Sequence, residues 1–118
     1  MSRNFRTSPC FNFKNPLPIA SGDFWILEFE TENRDVNKWK PFNSVNILNY
    51  SEDNSIEVYI NGSDFCLIPK GNSNNINEIS ASQIKIKNIG ATSIDTNLIS
   101  ISVQRTRMLL KNPYKKVF

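Results

Sequence analysis

Four carboxylates are grouped where the first strong β pattern of the chain gives way to a polar stretch: Glu28, Glu30, Glu32 and Asp35. Two carboxyl groups held at a fixed separation in a cleft can hydrolyse a glycosidic bond. Alternation along a strand, however, places Glu28 and Glu30 side by side on one face, which is typical of a solvated surface. We therefore predict surface acids here, and Ca²⁺ is disfavoured because the spacing of a calcium-binding loop is absent.

Other reactive residue types are few. The chain of 118 residues has no histidine and only two cysteines, Cys10 and Cys66, which form no Cys-x-x-Cys motif. Ser/His/Asp and Cys/His nucleophile arrangements and imidazole-ligated metal sites are therefore excluded. Cys66, between Phe65 and Leu67, is expected to be a small buried side chain rather than a nucleophile, and a disulfide is left open. We predict that the protein is not an enzyme and uses no cofactor.

Several aromatic side chains are predicted to be exposed, and two interpretations of them stay open. Trp39, Tyr50 and Tyr59 would suit a platform on which sugar rings stack, as in carbohydrate-binding sandwiches. They would equally suit cross-strand pairs that stabilise a sheet, because aromatic residues are ordinary members of strands.

The elements that must position these residues are short strands. The alternation of SIEVYIN (55–61) points Ile56, Val58 and Ile60 inward. Asn61-Gly62 is the preferred dipeptide of a type I′ turn, because both central positions need a positive φ. With DFCLIP as the return strand, the sequence predicts a β-hairpin over 55–69.

Further strands are predicted at 24–30, 45–51, 78–81, 82–88 and 98–104. The polar stretches 31–42 and 70–77 are expected to be loops, with Ile94 as a plug in the link that follows 82–88. The inward residues expected beyond the hairpin are Trp25, Leu27, Phe29, Ile84, Ile86, Ile99, Ile101 and Val103, whereas Ser100, Ser102 and Gln104 should point outward. Short strands about ten residues apart, with no helical period, predict an all-β fold: an antiparallel β-sandwich or jelly-roll-like architecture.

Charge divides the chain into three parts. Residues 1–22 carry three bases and no acid, residues 105–118 carry five bases and no acid, and residues 23–104 carry six bases and eleven acids. Three prolines and three phenylalanines in the first part predict an extended N-terminal arm. We therefore predict an arm at 1–22, a sandwich domain at 23–104 and a basic, aromatic C-terminal tail at 105–118. The basic groups sit at the ends and are expected not to interleave with aromatic residues on a sheet face.

Such arms can dock on an acidic surface, either nucleic acid or the acidic body of a neighbouring copy, or they can be solvated tails that keep the domain soluble. On the first interpretation, the predicted assembly contacts are Arg3, Phe5, Arg6, Phe11, Phe13, Arg105, Arg107, Lys111, Tyr114 and Phe118.

The stretch 45–105 combines strands of the forms IEVYING, IKIKNIG and ISISV with a return strand ending in Ile-Pro and a Gly-containing polar loop. This cadence resembles small β-sandwich virion proteins of tailed bacteriophages and related viruses. The resemblance covers about half of the chain and implies a sandwich that assembles symmetrically, as decoration, capsid-associated, neck or tail proteins do. It implies no catalytic or cofactor residues.

The leading hypothesis is therefore a virion structural protein, made in the host cytoplasm, that forms a homo-oligomer and contacts other virion proteins. The alternative is a carbohydrate- or receptor-binding sandwich that uses Trp39, Tyr50 and Tyr59. Sequence-specific nucleic-acid binding is disfavoured because no RNP-type or phosphate-binding glycine motif occurs. No secretory signal or membrane partner is expected, because no apolar run approaches the roughly 20 residues that span a bilayer.

Overall fold

The computed structural model describes residues 7–32 and 34–106, except for the side chains of residues 64 and 65. Eight strands carry the fold: β1 (Phe11–Lys14), β2 (Phe24–Glu28), β3 (Phe42–Asn49), β4 (Ile56–Ile60), β5 (Ser63–Ile68), β6 (Ser73–Ala81), β7 (Gln83–Asn88) and β8 (Ile99–Gln104). A 3₁₀ turn (Phe29–Thr31) and one helix, α1 (Arg34–Trp39), connect β2 to β3.

The strands form two four-stranded antiparallel sheets. Sheet 1 has the order β1-β8-β3-β6, and sheet 2 has the order β2-β7-β4-β5. The paired strands β1 with β8, β2 with β7, β3 with β6 and β4 with β5 are those of a long hairpin rolled up on itself, which is the topology of a jelly roll. The predicted all-β sandwich is thus confirmed.

The core lies between the sheets and is made of alternate residues on each strand. Sheet 1 contributes Val45, Ile47, Ile99, Ile101 and Val103, and sheet 2 contributes Leu27, Ile56, Val58, Ile84 and Ile86. Period-two alternation of β-branched residues sends one face inward because successive side chains point to opposite faces. The predicted inward residues are buried, apart from Trp25, which is half-buried. Ile94 is also buried, in an isolated bridge with Ile19. Ser100, expected to point outward, is buried.

The predicted hairpin is confirmed: Asn61 has φ 53° and Gly62 has φ 87° at the turn between β4 and β5. Around it, phenylalanines close one end of the sandwich. The ring of Phe29 lies 4.9 Å from that of Phe42 and 6.0 Å from that of Phe13, and Phe11 lies 5.9 Å from Phe42. We call these four residues and α1 the phenylalanine end.

The loop predicted at 31–42 is wrong, because this stretch holds the 3₁₀ turn, α1 and the start of β3. Val36 is the buried residue of α1. Packing on the core can hold so short a helix, so the sequence shows no repeated apolar spacing that would predict it.

The polar loop predicted at 70–77 is also wrong, because β6 begins at Ser73. An edge strand needs few apolar residues, and Ile76 is the one buried between Ser73 and Asn77. Its asparagines lie along the exposed edge of sheet 1, where the backbone of β3 supplies the pairing.

Within the predicted N-terminal arm, residues 11–14 form an edge strand rather than a segment outside the strand pattern. Phe11 and Phe13 point toward the core because they alternate in β1, which pairs with β8. Pro9 and Pro16 flank β1 and so cost it no backbone hydrogen bond. Residues 1–6, and 107–118 of the predicted tail, lie outside the described residues.

Candidate functional site

Four asparagine side chains are buried at the end of the sandwich opposite the phenylalanine end. They are Asn15, Asn49, Asn54 and Asn88. Burying an amide without hydrogen bonds costs several kcal/mol (~2–7), so each must be satisfied by its surroundings. Here the partners are mainly backbone groups of the loops, together with a few side chains. We call these four residues and the loops that they bind the asparagine end.

Asn54 and Asn88 form the centre of this network. The Nδ2 atom of Asn54 donates to Oδ1 of Asn88 (3.1 Å) and to the carbonyl of Thr92 (2.7 Å). The Nδ2 atom of Asn88 donates to the carbonyls of Ile19 and Thr92, both at 2.8 Å, while its Oδ1 accepts from the amide of Gly90 (2.9 Å). The segment with Ile19, the segment with Gly90 and Thr92, and the loop that contains Asn54 itself are thereby held together by one pair of side chains.

The other two asparagines fix the neighbouring loops. Asn49 donates to the carbonyl of Asn54 (2.8 Å) and accepts from the amide (3.0 Å) and hydroxyl (2.6 Å) of Ser51. Asn15 donates to the carbonyl of Asp95 (2.9 Å). An amide both donates and accepts, so it can bind a carbonyl and an N–H together, which no apolar side chain can do.

These fixed loops line a cleft of about 330 Å³. Its walls are Tyr50, Ser51, Glu52, Asp53, Asn54, Thr92, Ser93, Ile94, Asp95 and Leu98. Tyr50 is 56% exposed and also borders a second depression of about 190 Å³. An exposed aromatic ring beside carboxylate and hydroxyl groups can stack on an apolar ring face and hydrogen-bond its rim.

The carboxylates of the cleft do not form a metal centre. Within the described ranges, no three His, Cys, Asp or Glu side chains are grouped closely enough to hold a metal ion.

A second candidate surface is the outer face of sheet 2. Its residues stand in two rows across the strands: Phe24, Lys87, Glu57 and Leu67 in one, and Ile26, Lys85 and Tyr59 in the other. Three apolar side chains on this face are open to solvent, with Phe24 43%, Ile26 54% and Leu67 52% exposed. We call these seven residues the sheet-2 outer face.

Lysines are interleaved with the aromatic rings on this face, so the expectation that bases and aromatics would be separate is wrong. The Nζ atoms of Lys85 and Lys87 lie 5.3 and 5.7 Å from the ring centroid of Phe24. The Phe24 ring meets Tyr59 edge to face at 5.9 Å, and the Tyr59 hydroxyl donates to Glu57 (2.8 Å). The strand register creates this grouping, since β2 and β7 are far apart in the sequence.

The structure does not bring the residues of the predicted ligand platform together. Trp39 ends α1 at the phenylalanine end and is half-buried against the core, whereas Tyr50 follows β3 at the opposite end. Tyr59 lies on the sheet-2 outer face. Each aromatic residue therefore belongs to a different surface, and only Tyr50 borders a cleft among the pockets described.

Of the predicted assembly contacts, Phe11, Phe13 and Arg105 are described. Phe11 and Phe13 pack against the chain's own core, while Arg105 is exposed and its backbone pairs with Ser8. The rest lie outside the described residues: Arg3, Phe5, Arg6, Arg107, Lys111, Tyr114 and Phe118.

The four acids Glu28, Glu30, Glu32 and Asp35 are spread over the end of β2, the 3₁₀ turn, the residue after that turn and α1. Glu28 ends β2, where its carboxylate accepts from Gln83 (2.8 Å). Glu30 is in the 3₁₀ turn because the strand ends earlier than predicted, and Asp35 is in α1. Cys10 and Cys66 are not joined in a disulfide: Cys10 is exposed, and Cys66 is half-buried and packed on the core.

Comparison with known proteins adds no relative: no family model, no curated protein and no solved structure matches the chain. The described residues include no helix with the length and apolar character needed to span a bilayer.

Proposed function

We propose that this chain is a structural protein of a virus particle that assembles as a homo-oligomer and contacts other virion proteins. The observation that carries the proposal is the sheet-2 outer face, where Phe24, Ile26 and Leu67 are exposed on one face of one sheet. Covering a side chain of this size is worth about 1.5–3 kcal/mol when it is complete. Apolar residues rimmed by lysines and a glutamate have the composition of a protein contact.

Fold and charge support the same role. The jelly roll is a fold that viral capsid proteins use, although a fold alone does not fix a function. The bases at the two ends and the net negative body between them would steer neighbouring copies into register. The particle, assembled in the host cytoplasm, is the proposed location, whether the chain is a decoration, minor capsid, neck or tail protein.

A charge placed on the sheet-2 outer face tests this role. Leu67→Asp should weaken particle uptake because a buried carboxylate would replace an apolar contact. Asn75→Asp, which changes an exposed residue of sheet 1, is the matched control and should assemble normally. The yield of both variants in purified particles gives the comparison, and equal yields would contradict an assembly role for this face.

Mass spectrometry of particles purified from the source of the chain tests the location directly. A virion protein should co-purify at a constant ratio to the major capsid protein through density and size separations. A chain that stays with the soluble lysate would contradict the proposal.

A carbohydrate- or receptor-binding module is the second candidate, and the cleft beside Tyr50 favours it. Lectins share the jelly roll, and the cleft combines an exposed ring with the carboxylates of Glu52, Asp53 and Asp95. A glycan array with the purified chain should then give hits that Tyr50→Ala abolishes and Tyr59→Phe retains. An array without hits would contradict this candidate.

A further inference from the structure

A jelly roll of two open sheets has four edge strands, and three of them here carry features that block pairing with another chain. β1 is only four residues long and lies between Pro9 and Pro16. β6 has a bulge at Glu78, where φ is 60° and the register with β3 shifts. β5 shifts its register with β4 after Val58, and Pro69 follows it. Prolines, bulges and short length are the usual ways of protecting an edge.

The fourth edge, β2, is five residues long and has neither a proline nor a register shift. Its sequence FWILE contains no proline, glycine or lysine, and its pairing with β7 runs in continuous register from Phe24 to Glu28. Apolar side chains with high β propensity at an open edge favour pairing with a further strand. Among the described residues, no strand lies on the other side of β2.

The hydrogen-bonding groups of this edge can be assigned from the ladder. The Asn88 amide donates to the carbonyl of Asp23 (3.0 Å), and the Phe29 amide donates to the carbonyl of Ser82 (3.2 Å). Alternate residues of an antiparallel strand point their backbone groups to the same neighbour, so Trp25 and Leu27 also face β7. The N–H and C=O groups of Phe24, Ile26 and Glu28 therefore face the open edge. The Glu28 carbonyl also accepts from the Thr31 hydroxyl (3.0 Å) and keeps a second lone pair for a partner.

We infer that β2 pairs antiparallel with β2 of a second copy, joining the two copies of sheet 2 into one eight-stranded sheet. A two-fold axis at Ile26 sets this residue against Ile26 of the partner subunit and Phe24 against Glu28 of the partner subunit. Three hydrogen-bonded residue pairs supply about six backbone hydrogen bonds.

Charge complementarity selects a second copy as the occupant. The ammonium groups of Lys85 and Lys87 already lie over the Phe24 ring. Glu28 of the partner subunit, opposite Phe24, brings a carboxylate to those cations, and the symmetry repeats the contact. Pairing ends at a dimer, because the outer edges of the joined sheet are the two protected β5 strands.

The test is a proline at the centre of the edge. The amide of Ile26 faces away from β7, so Ile26→Pro removes a donor from the dimer contact and none from the chain's own ladder. Ile26→Thr keeps the backbone and a β-branched side chain and is the matched control. In sedimentation of the full chain, the proline variant should have a dimer dissociation constant raised at least about tenfold, and the threonine variant a smaller increase.

Amide hydrogen exchange on the unmodified chain provides a second measurement that does not depend on a variant folding. Raising the protein concentration should slow exchange of the Phe24 and Ile26 amides and leave the β6 edge unchanged. A monomer at all concentrations, or a proline variant that dimerises as the wild type does, would overturn the inference.

This inference deepens the proposed assembly role by naming its first partner, and the two fail separately. A chain that dimerises through β2 but is missing from particles supports the pairing and contradicts the virion role. A chain that enters particles but shows no protection at Ile26 overturns the pairing and leaves the virion role standing.

Discussion

The two ends of the sandwich are closed by opposite chemistry. At the phenylalanine end, ring contacts among Phe11, Phe13, Phe29 and Phe42 fill the space between the sheets. At the asparagine end, buried amides tie separate loops together by hydrogen bonds of 2.6–3.4 Å. Apolar packing tolerates small shifts of a ring, whereas each amide specifies which carbonyl it binds.

The difference explains where a binding cleft can sit. Loops at the asparagine end are held by their backbones, so their outward side chains, such as Tyr50 and Asp53, are left for contacts with a ligand. At the phenylalanine end the side chains themselves are used in packing, and Trp39 is half-buried with them. A fixed loop with uncommitted side chains is the usual support of a recognition site.

The largest expected effect is at the phenylalanine end. Phe29 is fully buried and contacts two other rings, so Phe29→Ala should lower the free energy of unfolding by about 3–5 kcal/mol. Phe29→Leu, which keeps most of the volume, should lower it by clearly less. Urea unfolding of the two variants measures the difference, and equal losses would show that packing volume is not what closes this end.

The next largest effect is at the asparagine end, where Asn88→Asp changes the chemistry but hardly the shape. The carboxylate cannot donate to the carbonyls of Ile19 and Thr92, so at neutral pH the variant should lose about 2–4 kcal/mol of stability. Burial beside carbonyls raises the pKa of the new carboxyl in the folded state.

The pH dependence follows from that direction. Below the unfolded pKa of about 4 both states are protonated and the ionisation penalty is absent. As the pH rises above it, the unfolded state ionises first, and the variant loses stability relative to the wild type until the folded pKa is passed. Asn72→Asp, an exposed asparagine at the same end, should show no such loss. A pH-independent difference for Asn88→Asp would contradict a buried, bonded amide.

The core and the asparagine end were not equally predictable from the sequence. The isoleucine alternation of β4, β7 and β8 indicated the core correctly, because period-two burial is visible in the residues themselves. Buried asparagines give no such signal, since asparagine is also one of the residue types that dominate turns. Asn54 lies between the predicted strands 45–51 and 55–61, and nothing in its neighbours distinguishes it from the exposed Asn72.

The sheet-2 outer face was missed for another reason. Phe24 and Lys87 are 63 positions apart in the sequence, and only the register between β2 and β7 brings them together. Polar edge strands such as β6 likewise lack the alternation that identifies a strand, because their pairing partner supplies the order. Local patterns therefore predicted the fold class and the hairpin, but not the surfaces that long-range pairing creates.

The two ends also differ in why they contain a glycine. A substitution at Gly90, at the asparagine end, gives the third-largest expected loss of stability. A Cβ at Gly90 would collide with the side chain of Asn54, which is itself held by Asn88 and Thr92. Gly90→Ala should therefore cost about 1–3 kcal/mol by displacing that amide. In a double-mutant cycle, Asn54→Ala should remove most of the additional cost, measured by thermal unfolding. Additive losses would mean that the clash is relieved without disturbing the network.

The smallest effect belongs to Gly62, beside the phenylalanine end, where space is not the constraint. A Cβ there meets nothing within 4 Å, but the backbone has φ 87°. Gly62→Ala should therefore cost about 1 kcal/mol through backbone conformation alone. A chemically synthesised chain with D-alanine at this position should recover the loss, because a D-residue favours positive φ. Equal losses of stability for L- and D-alanine in thermal unfolding would show that the positive φ is not the reason for a glycine at this turn. Gly62 would then not differ from Gly90 in the way proposed, with one glycine required for its conformation and the other for space.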